Sequence, residues 1–299
     1  MLRLVHFSDI HVFESKAAWR AREMFSKRVT GWVNNRLLPR GKKFKDATDI
    51  LKRLVDDIYR QKPDLLLFSG DATTLGVEEE FALAAKILRV HEAGSLPALA
   101  VPGNHDYYTR RSVRLGLFEK HFAPWLVGDR IAGHTYPFGR AAGPLYIVGV
   151  NSSTPGRWMW DARGKVGPAQ LRRLKQLLAK PQAANLPKVL LTHYPIVLPS
   201  GRPEKRFRRL RDLPDVLDVV SDGGVRLWLH GHRHMPYSVE PTHGRPIHAL
   251  CVGSGTQKDL WTYAEYTFDG KKLFIEYRAF DPRDQRFKAL RREEIPQPF

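Results

Sequence analysis

An α/β fold is predicted by the alternation of short apolar runs with helix-period segments along the 299-residue chain. Two further observations support this class. The composition, with 42% hydrophobic and 27% charged residues, is that of an ordinary globular protein. In addition, several apolar runs are followed at once by Asp, Asn or His. Because ligand sites in α/β sheets lie outside the carboxyl ends of strands, we expect these polar residues to converge on one rim.

The individual elements follow from the spacing of the apolar residues. Short β-branched or Leu-rich runs predict strands at 2–7, 64–68, 98–101, 145–150, 188–192 and 225–229. Apolar residues at three- and four-residue intervals predict helices at 47–60, 78–91 and 168–179. From His248 onward we expect strands, with a hairpin turn at Asp269-Gly270. No repeat or long linker divides the chain, so we expect one domain over 1–299, with insertions at about 13–46 and 195–215.

The charge and the cysteine content limit the partners and the compartment. The formal net charge of +18 favours polyanions such as nucleic acid, anionic lipid or phosphorylated substrates, unless it reflects only an Arg-rich surface. The single cysteine, Cys251, cannot form an internal disulfide and lies in an apolar run, which favours a buried structural thiol. No signal-peptide core or spanning apolar stretch is evident. We therefore expect a cytoplasmic protein, or one bound peripherally to the inner face of the membrane.

Five short motifs contain residue types that bind metal ions. In chain order they are Asp9-Ile10-His11, Gly70-Asp71, Gly103-Asn104-His105-Asp106, Thr192-His193-Tyr194 and Gly231-His232-Arg233-His234. Side chains two residues apart on an extended chain point to the same side, so the carboxylate and the imidazole of the first motif can bind together. Mixed oxygen and nitrogen donors suit divalent Mn, Fe, Co, Ni or Zn, and the motifs do not distinguish among these ions.

In order and in type, these motifs resemble those of the calcineurin-like metallophosphoesterases: D-x-H, G-D, G-N-H-[D/E], H and G-H-x-H. The resemblance covers roughly residues 1–255. It implies a four-layer αββα metallophosphoesterase sandwich, here with a basic helical insertion. It also implies a hydrolase that uses two divalent metal ions to cleave a phosphodiester or pyrophosphate bond.

The resemblance assigns a role to each motif residue. Asp9, His11 and His234 would hold one metal, and Asn104, His193 and His232 the other. Asp71 would bridge the two metals. His105 would face the substrate and protonate the leaving oxygen, and Asp106 would orient His105. Outside the motifs, His6 and His230 are expected to be packing residues.

Two insertions and one aromatic segment are candidates for substrate binding. The stretch from Lys16 to Lys45 contains ten Lys or Arg and one acid, Glu23, and its apolar residues recur at helical spacing. It predicts a basic amphipathic helix that lies on an anionic membrane surface, or alternatively packs on its own domain. The basic segment from Gly201 to Asp212 and the pair Trp158 and Trp160 would form a wall beside the metals, unless the tryptophans belong to the core. The candidate substrate contacts are Arg28, Trp32, Arg157, Trp160 and Arg206.

Three substrate classes remain open at this point. The stretch from Phe25 to Leu37 looks like the insert of family members that cleave the pyrophosphate of UDP-2,3-diacylglucosamine in lipid A synthesis. Cyclic-nucleotide phosphodiesterases share the five motifs with little insert, which makes a soluble cyclic-nucleotide or general phosphodiester substrate the alternative. Nucleic-acid processing or binding would follow from the charge, but no basic or aromatic signature of a nucleic-acid module is present.

Overall fold

Thirteen strands and seven helices are assigned in the computed structural model, which describes residues 1–14, 43–156, 158, 160–241, 246–296 and 298–299. The strands are β1 (Leu2–Phe7), β2 (Leu65–Phe68), β3 (Ala98–Ala100), β4 (Asp129–Arg130), β5 (Phe138–Ala142), β6 (Leu145–Gly149), β7 (Lys188–Leu191), β8 (Val225–His230), β9 (Pro236–Val239), β10 (His248–Val252), β11 (Thr262–Phe268), β12 (Lys272–Asp281) and β13 (Arg286–Pro296). The helices are α1 (Ala47–Gln61), α2 (Glu78–Ile87), α3 (Arg110–Arg114), α4 (Leu117–His121), α5 (Pro168–Leu178), α6 (Pro181–Ala184) and α7 (Leu213–Asp222), and a 3₁₀ turn spans Ala123–Trp125.

The strands form two mixed sheets. One has the order β13-β12-β11-β1-β2-β3, and the other the order β4-β5-β6-β7-β8-β10-β9. The central strands are parallel: β1 with β2 and β3 in the first sheet, and β6 with β7, β8 and β10 in the second. Strands with both faces covered are apolar at nearly every position, and β2 with its sequence Leu-Leu-Leu-Phe is buried throughout.

The layers follow from the two largest hydrophobic clusters. One cluster joins the inner faces of both sheets to the apolar stripe of α1, which contains Ile50, Leu51 and Leu54. The second cluster joins the opposite face of the second sheet to α5 and α7, through residues such as Leu174 and Val220. The order helix, sheet, sheet, helix confirms the predicted αββα class.

Most predicted elements match the observed ones to within a residue or two. One helix is shorter than predicted: α2 ends at Ile87 rather than near His91, because Arg89 takes a left-handed φ of 58° that stops the helix. Strands β4, β5 and β9 and helices α3, α4, α6 and α7 lack a sequence prediction. The predicted basic helix, with Arg28 and Trp32, lies outside the described residues. Within the described part of the chain, no helix is long and apolar enough to cross a membrane.

The parallel strands point their carboxyl ends to one end of the molecule. The loops after β1, β2 and β3 carry the first three motifs, and the loops after β7 and β8 carry the other two. Because both sheets share one core, these five loops come together over the sheet edges.

Candidate dinuclear metal centre

Seven of the motif side chains form one buried group, which we call the donor cluster. Its members are Asp9, His11, Asp71, Asn104, His193, His232 and His234. Asp9, His11, Asp71 and His193 are no more than 1% exposed, whereas Asn104 reaches 9% and His232 and His234 are partly exposed. Burying so many polar groups is unfavourable unless each is paired or coordinated. Contacts within the cluster, or ions bound by it, must therefore offset the cost of burying these groups.

Strained backbone holds many of these side chains in place. Asp9, His11, Asp71, His232 and His234 all have positive φ values, between 41° and 69°. Such a conformation costs on the order of 1–3 kcal/mol in a non-glycine residue, and it persists only where neighbouring contacts enforce it. Here the backbone N–H groups of the first three loops are tied to one another, for example Asp9 N to the carbonyl of Gly70 at 2.9 Å. Strain of this kind concentrates at functional sites.

Two glycines allow the loops to approach so closely. A Cβ atom at Gly103 would collide with the carboxylate and backbone of Asp71, and one at Gly231 would collide with Ser8 and with the Asp9 carboxylate. These two glycines therefore allow neighbouring loops to pack in close contact, because they have no side chain.

The first half of the cluster contains Asp9, His11 and His234. His234 Nε2 lies 3.2 Å from Asp9 Oδ1, and 3.2 Å from His11 Nε2. His11 Nε2 lies 3.8 Å from the same carboxylate oxygen. Two ligands that are each about 2.1 Å from one metal can be at most about 4.2 Å apart, so all three atoms fit a single ion.

The second half contains Asn104, His193 and His232. Asn104 Oδ1 lies 3.1 Å from His193 Nε2 and 3.0 Å from His232 Nδ1. The two histidine nitrogens are 3.3 Å apart. These three atoms again fall within the range of one ion.

Asp71 lies between the two halves. Its Oδ2 atom is 3.7 Å from His11 Nε2 in the first half and 3.5 Å from His193 Nε2 in the second. Its Oδ1 atom accepts a hydrogen bond from the backbone N–H of His105 at 2.7 Å. The same carboxylate oxygen thus faces both groups of donors.

The histidine tautomers favour cations at both positions. A carbonyl oxygen only accepts, so His11 Nδ1 and His193 Nδ1 must donate to the carbonyls of Thr73 (3.3 Å) and Ser69 (2.8 Å). Their Nε2 atoms then carry lone pairs that point into the cluster. Burial lowers the pKa of His193, which keeps this ring neutral. Its Nε2 lone pair therefore meets the Asn104 oxygen, an arrangement that is favourable only when a cation binds both.

His234 has a polar contact at each ring nitrogen. Its Nδ1 donates to the side-chain oxygen of Gln257, and its Nε2 lies 3.2 Å from both His11 Nε2 and Asp9 Oδ1. In the neutral ring, Nε2 presents a lone pair to the lone pair of His11 Nε2, and the two repel each other unless a cation lies near both. His232 differs in using Nδ1 toward the cluster, and its buried Nε2 has no hydrogen-bond partner among the described residues.

Sequence reasoning missed Gln257. It belongs to the polar run Gly253-Ser254-Gly255-Thr256-Gln257 that directly follows β10. Its backbone N–H donates to Ser254 Oγ at 3.0 Å, which fixes the side chain that orients His234. The signal was present, because a polar run after a buried strand is the same pattern that located the five motifs.

His105 lies beside the cluster and is also close enough to bind an ion together with His11 and Asp71. Its ring centroid is 4.8 Å from that of His11. Its Nδ1 donates to the carbonyl of Thr74 at 2.7 Å, which leaves Nε2 as the reactive nitrogen. A backbone carbonyl therefore helps to orient the ring.

Asp106 links the loops after β2 and β3. Its carboxylate accepts hydrogen bonds from the backbone N–H groups of Asp71 (2.8 Å), Gly103 (2.9 Å) and Thr73 (3.1 Å), and from the Thr73 hydroxyl. Burial raises the pKa of Asp106 to about 7, and these donors act in the opposite direction. Asp106 thereby supports the loop that carries His105 and Asp71.

Three exposed aromatic residues lie on the two segments that follow β6 and β7. We call Trp158, Trp160 and Phe207 the aromatic wall; they are 52%, 59% and 45% exposed. The two tryptophan rings stack with centroids 5.6 Å apart and planes 3° from parallel. Their exposure excludes the core alternative. Arg157 lies outside the described residues.

Tyr194 connects this wall to the cluster. Its ring centroid is 4.6 Å from that of His232, and its hydroxyl donates to the carbonyl of Ala162, two residues after Trp160, at 2.6 Å. The basic segment from Gly201 to Asp212, which we call the basic strap, pairs with the same loop: Ala162 N donates to the carbonyl of Phe207 at 2.9 Å. Arg206 is exposed on this strap, 5.8 Å from the Phe207 ring.

Comparison with known proteins is consistent with this geometry. The sequence profile of the calcineurin-like phosphoesterases matches residues 2–236. A protein from Pseudoalteromonas sp. named a probable cyclic nucleotide phosphodiesterase is 25% identical over 79% of this chain and 72% of its own. A second protein so named, from Rhodococcus erythropolis, is 28% identical over 66% of this chain and 60% of its own. A solved dimetal phosphatase from Danio rerio has the same fold, with a TM-score of 0.69 at 12% identity over 99% of both chains.

Proposed function

The chain belongs to the calcineurin-like phosphoesterase family and is a metal-dependent phosphoester hydrolase. We propose that it uses two divalent metals to cleave a nucleotide-type phosphodiester beside Tyr194. The observation that carries the proposal is the position of Asp71 Oδ2 between two groups of donors, 3.7 Å from His11 Nε2 and 3.5 Å from His193 Nε2.

The proposed ligand sets follow the two halves of the donor cluster. Asp9, His11 and His234 hold one ion, Asn104, His193 and His232 hold the second, and Asp71 is shared. When bound, two such ions lower the pKa of a water and neutralise charge that develops on the phosphoryl oxygens. The mixed O and N donors accept Mn, Fe, Zn, Co or Ni.

His105 is the proposed general acid. Because its Nδ1–H is bound to the Thr74 carbonyl, the protonated ring carries its transferable proton on Nε2. That proton can pass to the leaving oxygen as the P–O bond breaks. Asp106 holds the loops that carry Asp71 and His105, because its carboxylate accepts hydrogen bonds from Asp71 N and Gly103 N.

The proposed substrate side is the aromatic wall with the basic strap. Exposed indole rings stack on nucleobases, and Arg206 on the strap attracts phosphate. The names of the two bacterial relatives support a nucleotide substrate. We further propose that residues 1–299 form one catalytic domain, because both sheets contribute to one core.

UDP-2,3-diacylglucosamine is the second candidate. It is favoured by the basic amphipathic pattern from Lys16 to Lys45, most of which lies outside the described residues. A lipid substrate would require peripheral attachment to an anionic membrane, because that pattern predicts an interfacial helix.

A substrate screen tests the proposal. Protein reconstituted with Mn²⁺ or Zn²⁺ is assayed against cyclic AMP, UDP-2,3-diacylglucosamine and bis-p-nitrophenyl phosphate, with and without detergent, and co-sedimented with anionic liposomes. We expect detergent-independent turnover of cyclic AMP and the synthetic diester. Turnover confined to the diacylated substrate, together with liposome binding, would favour the lipid candidate. Steeply salt-dependent binding to nucleic acid without hydrolysis would reject both.

A further inference from the structure

The first half of the basic strap contains one buried acid, Glu204, and the other buried acid of the strap is its last residue, Asp212. Between Gly201 and Arg211 almost every residue is exposed, and the exceptions are Leu210, which joins the core, and Glu204. Glu204 is 5% exposed although six Lys or Arg residues share the strap with it. Carboxylates are rarely buried unless they are paired, so the position of Glu204 requires a partner.

That partner lies inside the metal-binding loop. Glu204 Oε2 is 3.0 Å from Nη1 of Arg233, and Glu204 Oε1 accepts the backbone N–H of Lys205 at 2.7 Å. Arg233 stands between His232 and His234, whose φ values are both positive. The ion pair therefore joins the strap directly to the loop that presents two of the proposed ligands.

The backbone hydrogen bonds of the strap go to other parts of the molecule than the metal-binding loop. The second half is held by backbone bonds to the Trp160 loop, from Gly164 N to the Arg209 carbonyl and from Arg211 N to the Gly164 carbonyl. The first half has turn bonds from Leu198 N to the Arg202 carbonyl and from Gly201 N to the Leu198 carbonyl, which join it only to the segment directly before it in the chain. In the described structure, the Glu204–Arg233 pair is the charged contact between the strap and the metal-binding loop.

We propose that Glu204 is a positioning residue that latches the basic strap to the metal-binding loop through Arg233, and thereby sets recognition of the substrate beyond the scissile phosphate. The proposal rests on the proposed function, because it assigns the substrate side to the strap and the aromatic wall. With the latch closed, Arg206 stays beside Phe207, whose carbonyl accepts a hydrogen bond from Ala162 N. With it broken, the first half of the strap moves and Arg206 no longer meets the substrate in one arrangement.

The latch is tested first without reference to catalysis. The strap offers trypsin several exposed sites, among them Lys205, Arg206, Arg208 and Arg209. In Glu204→Gln, tryptic cleavage within the strap should be roughly tenfold faster than in the wild type, relative to cleavage elsewhere, because local opening exposes these sites. Arg233→Gln removes the other partner and should give the same change. Glu294→Gln breaks an exposed ion pair with Lys272 between β12 and β13 and serves as the matched control.

The second measurement separates binding from chemistry. For a nucleotide diester such as cyclic AMP, Glu204→Gln should raise KM roughly tenfold with a smaller fall in kcat, and the change for bis-p-nitrophenyl phosphate should be smaller. Glu204→Asp keeps the charge and should recover part of the KM. The double variant Glu204→Gln/Arg206→Gln should be no worse in KM than the worse single variant, because both act through the strap.

Two outcomes overturn the latch. One is unchanged strap cleavage and unchanged KM in Glu204→Gln. The other is faster cleavage along the whole chain with loss of metal, which would make Glu204 a support of the fold alone. If the wild type hydrolyses none of the diesters, the proposed function fails, and the ratio of strap cleavage to cleavage elsewhere still decides whether Glu204 holds the strap.

Discussion

The donor cluster and the aromatic wall lie on either side of Tyr194 and are built in opposite ways. Asp9 and His193 are fully buried and held by close contacts: Asp9 Oδ1 lies 3.2 Å from His234 Nε2, and His193 Nδ1 donates to the Ser69 carbonyl at 2.8 Å. Trp158 and Trp160 are more than half exposed. A buried, over-determined cluster suits chemistry that tolerates little movement, whereas an exposed surface is free to vary with the substrate.

The largest effect is expected inside the cluster. Asp71→Asn removes the negative charge that faces both donor groups, so we expect loss of metal and a fall in kcat/KM of at least about 10³-fold. Metal content per chain and hydrolysis of bis-p-nitrophenyl phosphate measure this. Asp281→Asn, which breaks an ion pair with Lys288 between β12 and β13, is the control. A variant that keeps both metals and near-wild-type turnover would rule out the bridging role.

His105 is expected to have the next largest effect. His105→Ala should keep both metals and lose roughly 10²–10⁴ in rate, because proton transfer to the leaving oxygen is removed. The loss should shrink for p-nitrophenol, which leaves without help. Since His105 also lies close to His11 and Asp71, metal analysis is essential. Loss of an ion would make His105 a ligand, and equal losses for good and poor leaving groups would rule out the general-acid role.

Gln257 tests the outer edge of the cluster. Gln257→Leu removes the acceptor that holds His234 Nδ1–H, and we expect metal affinity to fall roughly 10–100-fold with little change in kcat at saturating metal. Competition with a chelator measures the affinity. Gln257→Glu keeps an acceptor oxygen and is the matched control. Equal affinity in the Leu variant would show that Gln257 does not tune the site.

The smallest effect on catalysis is expected at the wall. Stacking of a base on an indole contributes about 1–3 kcal/mol, so Trp160→Ala should raise KM for cyclic AMP between a few-fold and about 100-fold. Its melting temperature should stay near that of the wild type, because the ring is exposed. By contrast Trp228→Ala, at a side chain 1% exposed, should cost about 3–5 kcal/mol of unfolding free energy. An unchanged KM in the first variant would remove the wall from substrate binding.

The sequence by itself determined the fold class, most element positions and the residues of the donor cluster. These are local properties. The spacing of apolar residues predicts strands and helices such as β1 and α1, and metal-binding residue types directly after a strand mark the end of the sheet at which a ligand binds. The resemblance supplied the proposed division into two ligand sets. The lengths of the elements were predicted less well. The apolar pattern of α2 continues beyond Ile87, but the left-handed Arg89 ends the helix there.

The tertiary structure decided which atoms meet. That His232 turns Nδ1 inward, that Gln257 holds His234, that Trp158 and Trp160 are exposed and that Glu204 reaches Arg233 all depend on contacts between residues far apart in sequence. No local pattern records such contacts, because they exist only after two sheets have packed and their loops share one space. Exposure is likewise a property of the packed molecule, and it separated the wall from the core.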